Sequence, residues 1–592
     1  MLELLSSMSS ILISWLILFL VFSGLGTFIL KMLGKSPSSG WRWLDGFWFG
    51  WAAALGFLQL WHLVFPVNDA VLLLLAASAM IAMFSQRRLI AKIARRLPQD
   101  KPFLLLVLAL VLWVSNRALG VPVAYDTGFR DMQAVMWIDA YPLVPGLGNL
   151  FSSLAFNQSV YLYDALLDAF IWSGRSHHIA TGLLILVYLV YATKAGLNLC
   201  RCRNSGELRW SWIFAALTMP YVLYYTATLG GISHFLTDTI VDLVGFVSMI
   251  FLLDFLQDWR TKGESPNYLV YRLALIIVTG LTIKQSFSVF AVMITVFAFA
   301  VWLQRCRNRP CGEGLARTLI PIAIAGCAFL LPWMVRGAIT SGYVAYPHTF
   351  GRVNVDWAIP AEQLQERQLN MAGNTRLRGA DRATVLGSWD WLGPWLRRFS
   401  GNIMPTMLPT LIALTGLASH AIGLLRSRDS TLDHHLSHWT LAPLLGTLLI
   451  WFLSFPEPKY VRYVLWSLAA IAVILSLQSW QTLSLSRRKL IVFVITALCT
   501  AYVAFLIIQL KSYPLPAGPD RGFYPLPPVS HEEYATDSGL TLNVPADGAS
   551  QCWRIPLPCT PYPNPNLETR VPGELRHGFR VSDGAITGAA GG

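Results

Sequence analysis

The stretch Phe103-Leu-Leu-Leu-Val-Leu-Ala-Leu-Val-Leu-Trp-Val-Ser-Asn-Arg-Ala-Leu119 is apolar almost throughout, and a few residues beyond it stands a lone carboxylate, Asp126. A helix needs about 20 such residues to cross a hydrocarbon layer of about 30 Å. Comparable stretches recur from residue 10 to residue 510, in a chain of 592 residues that is 55% hydrophobic and only 13% charged. Lipid is therefore the expected solvent. The reading is an all-α polytopic membrane protein of about 13–14 transmembrane helices. Its spans are placed at 10–33, 43–65, 68–84, 102–119, 177–199, 210–229, 234–256, 268–283, 285–303, 315–335, 403–425, 438–455, 460–480 and 488–510. The first of them has spanning length and no basic segment before it, so it is expected to stay as a helix rather than to be cleaved.

The net charge of +13 resides largely in short segments between these stretches. Arg87, Arg88, Lys92, Arg95 and Arg96 form one cluster; Arg201, Arg203 and Arg209 a second; Arg305, Arg307 and Arg309 a third; Arg426 and Arg428 a fourth; Arg487, Arg488 and Lys489 a fifth. That pattern is an orientation signal, not a nucleic-acid surface, and the spans above put all five clusters on one side, the cytoplasmic one. Both termini, the loops 120–176 and 336–402 and the tail from residue 511 then lie outside the cytoplasm, as expected of a bacterial inner-membrane protein. Two regions follow: a membrane domain, 1–510, and an extracytoplasmic tail, 511–592. Cys552 and Cys559 fall together in that tail, where an oxidising compartment lets them pair. Cys200, Cys202, Cys306 and Cys311 lie in cytoplasmic loops without histidines beside them, which argues against zinc.

In the first long loop, apolar Phe129, Met132, Met136 and Trp137 recur at helical spacing between polar residues, which predicts an amphipathic helix on the membrane surface. In the second, Trp389, Trp391 and Trp395 suit an interfacial belt. The Pro- and Gly-rich tail is expected to form a small loop-dominated cap with a disordered end. No internal repeat of the kind common in transporters is evident.

Ionisable residues at or within membrane helices are costly and so mark candidate sites. Asp126 lies at the end of a span with Arg130 and Asp131 one turn on; the plainer reading makes it an N-cap. His234, Asp238 and Asp242 are spaced i, i+4, i+8 and predict one polar stripe, or a structural pairing with Lys284. Lys284, Arg336, Lys459 and Arg462 fall near span ends on the same side. Singly they read as snorkelling side chains; together they suit an anion, because arginine donates two parallel hydrogen bonds to phosphate. A carboxylate beside such cations can take a proton from a hydroxyl, or hold a divalent metal, while the cations stabilise a leaving phosphate.

At these residues the chain resembles the glycosyltransferase-C superfamily, membrane enzymes that take sugars from polyprenyl-phosphate carriers and use an acid in the first large outer loop. Tyr125-Asp126-Thr127-Gly128 with Gln133 and Trp137, Val144 to Asn149, Leu154 to Asn157, Pro332-Trp333-Met-Val-Arg336 with Ser341, Tyr343, Tyr346 and Pro347, and Cys552-Trp553 to Thr560 resemble an uncharacterised bacterial membrane-protein family of that type. The resemblance carries over to Asp126 and Asp238 alone, as catalytic residues; phosphate binding by Lys284, Arg336, Lys459 and Arg462, and support from Arg130, Asp131, His234 and Asp242, are expected from the charge pattern described above. The resemblance implies a lipid-linked sugar donor, contact with membrane lipids and a glycan, lipid or protein acceptor, with no nucleic acid. Many superfamily members carry two adjacent acids where Asp126 stands alone, and the histidine common near this point in the related family is missing. A general base without metal is then favoured over one helped by a divalent cation such as Mg or Mn. The competing readings are a transporter or flippase for a lipid-linked anion and a non-enzymatic assembly subunit of the envelope.

Overall fold

The computed structural model describes the chain except for residues 1, 33–41, 88–99, 202–207, 228–231, 236, 262–265, 309–314, 427–437, 480–521, 547 and 583–592. The expected last span and most residues of the basic clusters lie outside the described residues. The other thirteen expected spans are helical. In chain order these begin with α1 (Leu2–Met32), α2 (Arg42–Trp61), α3 (Asp69–Ser85) and α4 (Lys101–Arg117). A connecting segment follows with the short α5 (Met132–Ala140), α6 (Leu147–Leu150) and α7 (Val160–Leu166). Next come α8 (Ala180–Arg201), α9 (Trp210–Ala227), α10 (Thr237–Thr261), α11 (Pro266–Ile283), α12 (Ser288–Asn308) and α13 (Leu315–Ser341). A second connection holds α14 (Ala361–Arg376), α15 (Arg382–Gly387) and α16 (Leu392–Gly401), before α17 (Leu408–Arg426), α18 (Ala442–Ser454) and α19 (Arg462–Ser479).

Seven helical stretches among the described residues are long and apolar enough to cross a membrane: Leu2–Met32, Ser176–Arg201, Thr237–Gln257, Gln285–Gln304, Leu319–Ser341, Ile403–Leu425 and Arg462–Ser479. The apolar stretch of α10 is wholly buried and forms the central column, with α8, α9, α11 and α19 against it. Peripheral helices bury one side and turn Val292, Val296, Ile320, Ile324, Leu411 and Leu414 outward. The bundle is thus apolar both inside and out, unlike a water-soluble one, whose outer faces are polar. Between α1 and α2 the backbones touch: a Cβ on Gly50 would lie 1.8 Å from the Phe22 carbonyl oxygen, and one on Gly26 equally close, 1.8 Å, to that of Gly46. Small residues four apart permit this approach.

The tail departs from an all-helical reading. Its described part forms two antiparallel hairpins, β1 (His531–Ala535) with β2 (Thr541–Pro545) and β3 (Leu567–Thr569) with β4 (Phe579–Val581), and Cys552 is bonded to Cys559. This cap sits over one end of the bundle, called the cap end below. The amphipathic helix expected on a membrane surface lies beneath it instead. α5 buries Met132, Gln133, Val135 and Trp137 because the Gln133 amide donates to the carbonyls of Trp553 (3.1 Å) and Ile555 (2.9 Å), so the cap covers its polar side. The tryptophan belt is also corrected: Trp391 and Trp395 are buried against Phe452, Trp395 donating to the Pro456 carbonyl, and of the three Trp389 alone is exposed.

Candidate functional site at the cap end

The turn after α4 sets the site. Trp553 lies against Gly128, where a Cβ would come within 2.3 Å of its ring, and its backbone N–H donates to the Gly128 carbonyl at 2.9 Å. This pins a π-helical turn, Thr127–Asp131, that leads into α5. Asp126 begins the turn but does not cap it; its side chain accepts no backbone hydrogen bond there. It instead meets Arg130 at 3.3 Å, and its side chain is 42% exposed. Arg130 also donates to the buried Asp131 at 2.8 Å, and Asp131 accepts the Tyr161 hydroxyl at 2.5 Å. One guanidinium thus bridges two carboxylates. Burial first, and then the Asp126 charge, push the Asp131 carboxyl up to about 6.

The expected polar stripe is present in part. Asp238 and Asp242 lie one turn apart on α10, but His234 precedes the helix, and its carbonyl accepts from the Thr181 hydroxyl. The His234 side chain is buried, which makes it part of the interior packing rather than of the stripe. Asp238 pairs with Lys284 and lies 3.8 Å from Lys459; both ammonium groups lie over the Tyr460 ring. Asp242 meets Arg462 at 3.2 Å and accepts from the Tyr221 hydroxyl at 3.0 Å. Three of the four expected phosphate-binding cations are therefore tied to carboxylates, as isolated charges in a low-dielectric interior would have to be. Lys459, 38% exposed, is the most open of the three. The two groups lie within electrostatic reach of each other: the Asp126 charge acts on Lys459, and the Arg130 charge on Lys284. Glu457 in the turn before α19 draws Arg378 (3.4 Å) and Arg398 (3.8 Å) over the same end.

Arg336 stands apart from this cluster. Its Nε donates to Asn157 Oδ1 at 3.0 Å and its Nη1 lies 2.6 Å from His62 Nδ1, so both partners are neutral. His62 and Asn157 were not expected from sequence, although Asn157 falls in one of the motifs quoted above and His62 ends a span. Tyr161 and Asp164 were also missed. Asp164 is fully buried, and neither carboxyl oxygen has a partner among the described residues. Burial, then Asp131 and Asp168, raise its carboxyl well above the ordinary range. Asp168 itself is satisfied by the amides of Gly174 (2.9 Å) and Ser176 (3.3 Å), the Ser176 hydroxyl (2.8 Å) and Arg554 (3.2 Å) of the cap.

A divalent cation does not fit this arrangement. Such ions need several converging oxygen ligands, whereas Arg130 occupies the space between Asp126 and Asp131, and no group of three or more candidate ligands exists among the described residues.

Residues 8–466 match the family described as Domain of unknown function (DUF8201). The chain belongs to that family. No curated protein and no solved structure matches it. The DUF8201 region contains every charged member of the cluster, from Asp126 to Arg462, while the cap that pins the Asp126 turn lies beyond it.

Proposed function

We propose that the chain is a multi-pass membrane enzyme that moves a sugar from a polyprenyl-phosphate carrier to a glycan, lipid or protein acceptor at the cap end. The apolar outward faces support membrane embedding, and the disulfide supports a cap on the non-cytoplasmic side, where such bonds persist. The observation that carries the reaction is the Asp126 carboxylate: half open, held by one ion pair among the described residues, and within the electrostatic reach of a cation cluster at the end of an apolar bundle. Asp126 accepts the proton of the acceptor hydroxyl as its oxygen attacks the anomeric carbon. The bond from that carbon to the phosphate oxygen breaks, and the electron pair leaves with the phosphate. Asp238 is shared by Lys284 and Lys459, so this group carries one positive charge in excess to receive the phosphate. Arg130 and Asp131 position the base and require no metal.

The test is full-length protein in nanodiscs with undecaprenyl phosphate carrying glucose, mannose or arabinose and a bacterial envelope extract that supplies glycan, lipid and protein acceptor hydroxyls, following release of undecaprenyl phosphate. Asp126→Asn should lower the rate by about 10²–10⁴-fold, the usual contribution of a general base, with unchanged melting. Release by the Asn variant at the wild-type rate, or no release from any donor, would refute the assignment.

A further inference from the structure

Behind the Asp131–Tyr161 hydrogen bond lies a cavity of about 30 Å³. Its polar lining consists of His62, Trp137, Asn157, Gln158, Tyr161, Arg336 and the helix-bonded Thr340; the other side chains are apolar, and no carboxylate lines it. Arg336, 4% exposed, is its one ionic side chain. His62 Nε2 lies 3.2 Å from the Tyr141 carbonyl oxygen, which can only accept, so the imidazole proton is on Nε2 and Nδ1 is a lone pair for Arg336. Asn157 is oriented as firmly, since its Nδ2 donates to the Trp333 carbonyl at 2.5 Å and leaves Oδ1 for Arg336. Both partners therefore aim the guanidinium without neutralising it. A buried charge without a counter-charge is costly. Two further lining groups are without partners among the described residues: the Trp137 Nε1–H, a donor, and Gln158 Oε1, an acceptor, both on buried residues.

We propose that this cavity binds a small oxyanion, a phosphate or a carboxylate. Its charged oxygens compensate Arg336 and accept from Trp137, and where the group is a hydrogen phosphate its hydroxyl also donates to Gln158. Water could satisfy the two orphaned groups but would leave the charge. The volume corresponds to roughly two or three waters at 10–15 Å³ each, which admits the anionic end of a molecule and little more. The site is separate from the Asp238, Lys284 and Lys459 group, and its binding does not depend on a transfer reaction.

The experiment is thermal unfolding of the full chain in detergent at constant ionic strength, with sodium chloride replaced by sodium phosphate or sodium acetate, and in a second arm with dihexanoyl phosphatidic acid. A saturable rise in melting temperature, about 2–5 °C at saturating anion, is expected in at least one arm. A response to phosphate or acetate identifies a free anion; a response to phosphatidic acid alone identifies a headgroup. Arg336→Gln should lose the response. Trp137→Phe, which keeps the ring and removes the donor, should weaken it and decides the matter if the arginine variant does not fold. Asp126→Asn should keep it, so failure here and failure of the transferase reading are distinguishable. No saturable shift in either arm, or an equal shift in wild type and Trp137→Phe, overturns the proposal.

Discussion

The two ends of the bundle handle buried charge differently. At the end away from the cap, each acid discussed here meets its cations. Asp254 near the end of α10 has Arg272 at 3.5 Å, Arg209 at 3.6 Å and the Ser211 hydroxyl at 2.7 Å, while Arg272 also reaches Asp45 at 3.0 Å and lies over the Phe251 ring. Asp100 is held by Lys194 and by Arg201 at 2.7 Å. At the cap end Asp126 is half open, Arg336 has neutral partners, and Asp164 has none among the described residues. Closed networks hold helices together, whereas open valences leave room for a ligand or a proton, so the contrast supports placing the proposed site at the cap end.

The sharpest way to break that contrast is Arg272→Met. If the far-end network is structural, this change removes the cation shared by Asp254 and Asp45, leaves Asp254 to Arg209 and Ser211, and should destabilise the protein by about 3–5 kcal/mol, read as a large fall in melting temperature. Adding Asp254→Asn should restore part of the loss. A small effect from Arg272→Met alone would remove the distinction between the ends.

A medium effect is expected from pH. Asp131 is pushed up to about 6 from an ordinary 3.8, chiefly by burial, and Asp139, half-buried near Asp168, is also raised to about 6. Between those values the native state binds protons that the unfolded chain has released, so these groups stabilise the fold at low pH and lose that contribution as pH rises towards 6. Each contributes up to about 1.4 kcal/mol per pH unit across the window. Asp131→Asn and Asp139→Asn should each flatten the slope of stability between about pH 4 and 6, and the double variant more so. Melts at three pH values check it; slopes identical to wild type would show that Asp131 and Asp139 are not raised.

How much of this was readable from sequence differs by feature. Runs such as Phe103–Leu119 announce helices because length and apolarity are local properties, and Asp126 with Arg130 was legible through i, i+4 spacing. The partners of Asp238 and Asp242 come from distant helices, so sequence suggested Lys284 as one possibility and could not show that Lys459 and Arg462 are bound as well. The burial of α5 was misread because its polar residue, Gln133, looks solvent-facing until two cap carbonyls from Trp553 and Ile555 appear beside it.

The smallest effect belongs to Asp164. Its carboxyl is buried with no partner among the described residues, and burial raises it well above the ordinary range, which favours the protonated, uncharged form. Asparagine has the same shape and the same charge as that form. Asp164→Asn should therefore change stability by no more than about 0.5–1 kcal/mol, far below the loss from Arg272→Met. Since the unfolded chain releases this proton at a lower pH than the native state does, rising pH above the ordinary carboxylate range should weaken wild type and spare the asparagine variant. Melting curves of both across rising pH decide it. A large loss in Asp164→Asn at neutral pH would mean that the carboxylate is charged and paired, and that the cap end is as closed as the other.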